Sequence, residues 1–203
     1  MTASRADRRQ RILEAALHCF SASGIEAASI ADICERSGAS VGSVYHRFGN
    51  KEGIVLALLA EGLRANLEEL RTRLPRCRTA RDSVHQVIDA LIDWITEHPD
   101  LARFIYAHLG QYGHLDCPQL RAVNDDHAQL LATILDPHRA SGALRELPPA
   151  VWRSLALGPV HDYARRWLNA QVDQSPTLHR ELFRECAWNI LRAPAGADHD
   201  GQD

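Results

Sequence analysis

Lysine is almost missing from this chain. Of 23 basic residues, 22 are arginine and Lys51 stands alone. Arginine in that excess mostly reflects a GC-rich genome, but it makes the one lysine conspicuous. The net charge is −3, so the molecule as a whole does not attract nucleic acid by bulk charge. The first 53 residues hold seven basic and six acidic side chains (+1), leaving −4 for the rest. Any contact with DNA has to come from local placement of charge. Apolar runs are short as well: none approaches the ~20 residues of a membrane span, and none follows the basic N-terminus as in a signal peptide. Five cysteines (Cys19, Cys34, Cys77, Cys117, Cys186) are odd in number and scattered, with no C-x-x-C pair. Free thiols in a reducing cytoplasm are therefore expected.

Strand signals are equally scarce. No sustained apolar–polar alternation and no Asn-Gly hairpin occurs, whereas helical periodicity recurs along the chain. The expected fold is all-α, with about nine helices. Helix 1 runs from about Arg5 to Ala22 and Gly24 ends it. Ser29 caps a second helix, "IADICERS", with Asp32 at the capping-box place. After Gly38, Ser40 caps a third, "VGSVYHRF". Gly49-Asn50 breaks the chain before a long fourth helix from Lys51 to about Leu74. Helices follow at about Thr79–Glu97, Pro99–Gly113, Pro118–Leu135 and Ala150–Asn169. Ser175-Pro176 opens the last one, which ends near Arg192. The expected domains are 1–50, 51–192 and a polar, disordered tail 193–203.

The short link Ser37-Gly38-Ala39 between two short helices is typical of a helix-turn-helix, whose second helix enters the major groove. A reading helix needs small or hydrogen-bonding residues at its start to approach base edges, as Ser40, Val41, Gly42 and Ser43 provide; Val41 can also meet a thymine methyl. Beyond them Tyr45, His46 and Arg47 carry groups that reach phosphates. Lys51, at the start of the next helix, joins its ammonium to free backbone N–H groups and suits another phosphate. Val44 and Phe48 would face inward with Phe20 and Ile33.

"RRQRILEAALHCFSASGIEAASIADICERSGASVGSVYHRFGNKEGIVLALL" resembles the DNA-binding domain of the TetR family of bacterial transcriptional regulators, over about residues 8 to 60. The resemblance implies base approach by Ser40 to Ser43, and phosphate contacts by Ser29, Tyr45, His46, Arg47 and Lys51. Arg47 stands where relatives often carry histidine. Gly42 replaces bulkier residues or proline. The resemblance further implies a homodimer on palindromic double-stranded operator DNA, with helices 8 and 9 pairing against their mates. Leu155, Val160, Tyr163, Trp167, Leu178, Leu182, Phe183, Cys186 and Ile190 are the candidates; intramolecular core is the competing reading of each. It also implies a small-molecule effector enclosed by helices 4 to 8, with Trp94, Phe104, His108, Tyr112, His127 and Trp152 as candidate walls. That mixture suits a largely apolar ligand held by few hydrogen bonds.

The alternative is an all-α enzyme or metal-binding bundle with an incidental helix-turn-helix. Little favours it: no Gly-rich phosphate loop, G-x-S-x-G elbow or H-E-x-x-H motif occurs. His161 and Asp162 are adjacent and point apart on a helix, so they make no catalytic dyad. His108, His114, Cys117 and His127 lack zinc-ligand spacing. No catalytic residue, metal ligand or cofactor is expected.

Overall fold

The computed structural model describes residues 5–194. Among them are nine α-helices: α1 (Arg5–Ala27), α2 (Ile30–Ser37), α3 (Val41–Phe48), α4 (Lys51–Arg73), α5 (Ala80–Glu97), α6 (Pro99–Tyr112), α7 (Pro118–Ala140), α8 (Pro149–Leu168) and α9 (Arg180–Leu191). Short 3-10 turns cover Leu74–Arg76 and Pro176–His179. The expected all-α class holds. Several boundaries move. α1 breaks at Gly24, φ +81°, but resumes to Ala27. α7 runs past Leu135 through Pro137, because the proline carbonyl still accepts the Ser141 N–H at 3.1 Å and closes the last turn. Ser175 caps the 3-10 turn that precedes α9 and not α9 itself.

The chain forms two compact units, and the division does not fall at residue 50. One takes in the chain up to Ala65 together with His98–Asn124; the other takes in Asn66–Glu97 and the chain from Asp125. In the first unit Ile12, Leu13, Ala16, Phe20, Ile33, Val44, Ile54 and Leu58 are buried. α6 belongs here because Phe104 stacks on Phe20 of α1, with ring centroids 5.9 Å apart and planes 14° from parallel.

The second unit is built around α5, which packs on both α8 and α9. Eleven of its residues are buried, including Val84, Val87, Ile88, Leu91, Trp94 and Ile95, so it is covered on nearly every side, as a central helix must be. Asp89 is among them, 3% exposed. It holds Arg180 and Arg184 of α9, the latter through Nε at 2.8 Å and a second, shorter bond. Asp93, one turn on, holds Arg180 as well and accepts Arg73 Nη1 of α4 at 2.7 Å.

The end of α9 is pinned by the loop after α7. Leu144 and Arg192 form an isolated antiparallel bridge, Arg145 N–H donates to Leu191 O at 2.8 Å, and Ala193 N–H donates to Ala143 O at 3.1 Å. Ala193, placed in a disordered tail by composition, is thus hydrogen-bonded; residues 195–203 of that tail lie outside the described residues.

Candidate nucleic-acid interface

The α2–α3 pair is assembled by local backbone chemistry. Ser29 and Asp32 close a full capping box: Asp32 N–H donates to Ser29 Oγ at 3.1 Å and Ser29 N–H to Asp32 Oδ2 at 2.9 Å. The Ser29 N–H, joined by the Ser29 hydroxyl, holds the Asp32 carboxyl below its ordinary range. Gly38 then turns the chain in the left-handed region, φ +68°, while its N–H closes the helix on Cys34 O. Ser40 restarts it by accepting the Ser43 N–H at 3.2 Å.

On α3, Val44 is 1% exposed, and Val41 and Tyr45 are about half exposed. Residues 41 and 45 lie one turn apart and form a ridge directed away from the core. His46 is exposed beside it and Ser43 is half-buried. Arg47 is half-buried, with its Nε enclosed and unpaired. A Cβ added at Gly42 would meet nothing within 4 Å beyond its own turn and neighbours, so no packing constraint inside the chain requires glycine there. Gly42 leaves one exposed position in the first turn of α3 without a side chain.

Ser29 and Ser40 are both committed to caps through their hydroxyls. The Ser40 hydroxyl retains its own hydrogen as a donor, whereas that of Ser29 also serves the Asp32 carboxyl. Two of the three ammonium donors of Lys51 are likewise engaged. Its Nζ donates to Glu26 O at 2.9 Å and to Ala28 O at 3.0 Å, two carbonyls at the α1–α2 corner.

One arrangement goes beyond the expectations from sequence. Asn50 caps α4, its Oδ1 accepting the Gly53 N–H at 2.7 Å. A Cβ at Gly53 would sit 1.9 Å from Phe48 O, so only glycine allows the end of α3 to close on the first turn of α4. "Asn-Lys-Glu-Gly" just after the reading helix was the available signal.

A reading helix presented this way, next to a capped turn, matches a known family model. The description is "Bacterial regulatory proteins, tetR family", and the match covers residues 12–58. The N-terminal domain belongs to the tetR family. The TetR domain is 45% identical over 53 residues to the HTH-type transcriptional repressor AcnR of Corynebacterium glutamicum, a stretch covering 26% of this chain and 28% of that repressor. The HTH-type transcriptional regulator BetI 1 of Chromohalobacter salexigens is 27% identical over 84% of this chain and 95% of its own. Among solved structures, the regulator FadR of Bacillus subtilis, in complex with stearoyl-CoA, superposes with a TM-score of 0.73 at 19% identity, covering 89% of this chain and 98% of that one. This likeness extends the TetR-like fold over nearly the whole chain.

Outside the TetR domain's reading helix, the expected effector residues divide between the two units. In the first, Phe104, His108 and Tyr112 form a continuous row of ring contacts, tilted between the first pair and edge-on between the second, with centroid separations of 4.7 and 6.2 Å, and burial lowers the His108 pKa. In the second, Trp94 and Trp152 are buried and each encloses an indole N–H without a partner, and His127 meets Asn66 Oδ1 at 3.3 Å. Two clefts of about 430 and 440 Å³ are lined by other residues: His18, Cys19, Asp32 and Glu35 in one, and Arg73, Arg76, His85 and Arg184 in the other. Of the expected dimer residues, Leu155, Leu178 and Leu182 are 44%, 71% and 68% exposed. Tyr163, Trp167, Cys186 and Ile190 are half-buried. Val160 and Phe183 are 1% and 8% exposed: they are spent on the unit's own core and offer a partner little surface.

Proposed function

We propose that this chain is a ligand-responsive transcriptional regulator, a repressor that binds palindromic double-stranded operator DNA as a homodimer in the cytoplasm. A small, largely apolar effector releases it. The observation that carries the reading is α3 itself: Val44 locked inward, Val41, Tyr45 and His46 outward, and bare Gly42 at the approach. Ser40 to Ser43 lie nearest the bases; Tyr45, His46 and Arg47 reach the backbone. Repression accords with the name of the AcnR relative.

One short reading helix buries too little surface to bind tightly, and two-fold symmetry doubles the contact. Leu155, Leu178 and Leu182 are large apolar side chains left in water on α8, α9 and the turn before it, and a second copy is their fitting cover. The unpartnered indole N–H groups of Trp94 and Trp152 are donors for the polar atom of an otherwise apolar ligand. No cofactor and no membrane partner enter the proposal. Among the described residues no helix is long and apolar enough to cross a membrane, and no cluster of metal-ligating side chains occurs.

The test is selection of random-sequence duplex DNA by the purified chain at moderate salt. The expected result is an enriched palindrome whose half-sites lie roughly one or a few helical turns apart. Recovery of unselected sequence only would overturn the reading.

A further inference from the structure

The first turn of α3 presents an apolar group and little polar reach. Val41, its first residue, is 50% exposed. The Ser40 hydroxyl accepts the Ser43 N–H, Ser43 is half-buried and Gly42 has no side chain. None of residues 40–43 is an arginine, lysine, asparagine or glutamine, the side chains that bond a purine edge at two points. Valine is therefore the bulkiest group at the start of this helix.

The core contact of this turn is made by Val44, 1% exposed, and half of Val41 stays in water. A Cβ added at Gly42 would meet nothing within 4 Å beyond its own turn and neighbours, so the next position along adds no obstacle. A β-branched side chain in a helix is held in essentially one χ1 rotamer, and its methyls are in place before any partner arrives. In the major groove of DNA the distinctive apolar group on a base edge is the C5 methyl of thymine. Covering one methyl with another needs shape and the exclusion of water, with no hydrogen bond.

We infer that Val41 reads thymine: its side chain covers the C5 methyl of one thymine in each half-site, so that this position is discriminated by an apolar contact. The inference rests on the reading of α3 as a DNA helix and adds which chemical feature its first residue recognises. Tyr45, 49% exposed one turn on, is the competing apolar group on the same ridge. Position separates the two. The start of a reading helix reaches base edges, whereas Tyr45 lies further along, among the groups assigned to the backbone.

The experiment starts from the palindrome that the wild-type chain selects from a random pool. Its thymines are replaced by uracil, one symmetry-related pair at a time, and binding is titrated at fixed salt. Uracil pairs as thymine does and lacks only the methyl, while 5-bromouracil puts an atom of similar size in its place. One pair of replacements should weaken the wild type by about tenfold, the product of about three- to fourfold for one methyl in each half-site. Bromouracil at the same places should restore the affinity. In Val41→Ala the uracil penalty should fall below about twofold, and in Tyr45→Ala it should keep its full size. Circular dichroism checks that both variants are folded, and Val41→Ser goes through the same titrations should Val41→Ala not fold.

A penalty that persists in the Val41 variants, or that disappears in Tyr45→Ala, would overturn the inference. So would half-sites without thymine, or a wild type that binds every uracil duplex as tightly as the original. Those outcomes leave sequence-specific binding intact and remove only the role of Val41. A wild type that selects no sequence at all defeats the DNA-binding reading itself, and the inference falls with it.

Discussion

Within each of the two units the helices are joined by different means. Around the reading helix the joints are mostly backbone joints, the Ser29–Asp32 box, the Ser40 cap, the Asn50 cap and the two carbonyls under Lys51, with the Arg9–Glu61 pair as a side-chain joint elsewhere in that unit. Most close over three or four residues. In the second unit the joints between α5 and α9 are side-chain ion pairs over long sequence separations, Asp89 to Arg180 and Arg184, and Asp93 to Arg180 and Arg73. Caps fix where a helix starts and how it turns, which suits a small element that must present one face accurately. Ion pairs buried between helices fix which helix lies beside which, because a buried carboxylate without its arginines is expensive. The first unit is specified from within each turn, the second from across the fold.

The sharpest way to break that contrast is Asp89→Asn. The carboxylate is 3% exposed and faces two guanidiniums, themselves about a quarter exposed. Removing one partner of a buried pair costs roughly 3–5 kcal/mol, and the partial exposure of the arginines points to the lower end, about 3 kcal/mol. Urea unfolding of the full chain measures it. A change below about 1 kcal/mol would mean that the apolar contacts of α5 with α9 carry the joint without the charges.

Much of the first unit was legible because its signals are local. Ser29 with Asp32 three residues on, Gly38, and Ser40 before an apolar helix each state their role within a few residues, and the structure places each in that role. The stripe Val84, Val87, Ile88, Leu91 and Ile95 was legible as core by its spacing. Asp89 was not, since nothing in "VIDALID" announces that arginines some 90 residues away will meet it. Periodicity reports which face is apolar, not which polar residue is buried with a partner. Similarly, the Phe104–His108–Tyr112 spacing revealed an aromatic face but not that Phe20 of α1 would stack on its first ring. Lys51 was conspicuous by its rarity, but the two carbonyls that its ammonium meets, Glu26 O and Ala28 O, are brought close only by the fold and no spacing in the sequence announces them.

Acid sharpens the comparison next. In the second unit, burial together with the positive charge of Arg153 and Arg165 pushes His161 down to about 4. Unfolded histidine takes its proton near 6.5, so between roughly pH 6.5 and 4 the unfolded chain binds a proton that the folded chain refuses. Stability contributed by the neutral ring is therefore complete above about 6.5 and is lost as pH falls through that window, by about 2 kcal/mol once its partial exposure is allowed for. Asp93 behaves differently. Burial raises its pKa, but the bonds from Arg180 and Arg73 outweigh that and hold it below the carboxylate range, so its contribution fails only below about pH 4. Thermal melts at half-unit steps should show a decline below about pH 6.5 that is steeper in the wild type than in His161→Gln, the remaining decline in the variant belonging to His85 and His108, whose pKa values burial also lowers. Identical profiles for the two would sink the assignment.

The smallest effect belongs to the cap. Ser29→Ala removes the acceptor of the Asp32 N–H and opens half of the box, a loss of about 1 kcal/mol. The site is exposed, so no buried group is stranded, and Ser29→Asp should recover most of the loss because aspartate caps as well as serine. If the joints of the first unit are as local as their geometry, this loss is additive with that of Asp89→Asn, since the two sites lie in different units and share no partner. Urea unfolding of the double variant measures the sum. A double variant whose loss departs from that sum by more than about 0.5 kcal/mol would show that the capped turn and the ion-pair ladder are energetically coupled, and the joints of the first unit would then not be as local as their geometry.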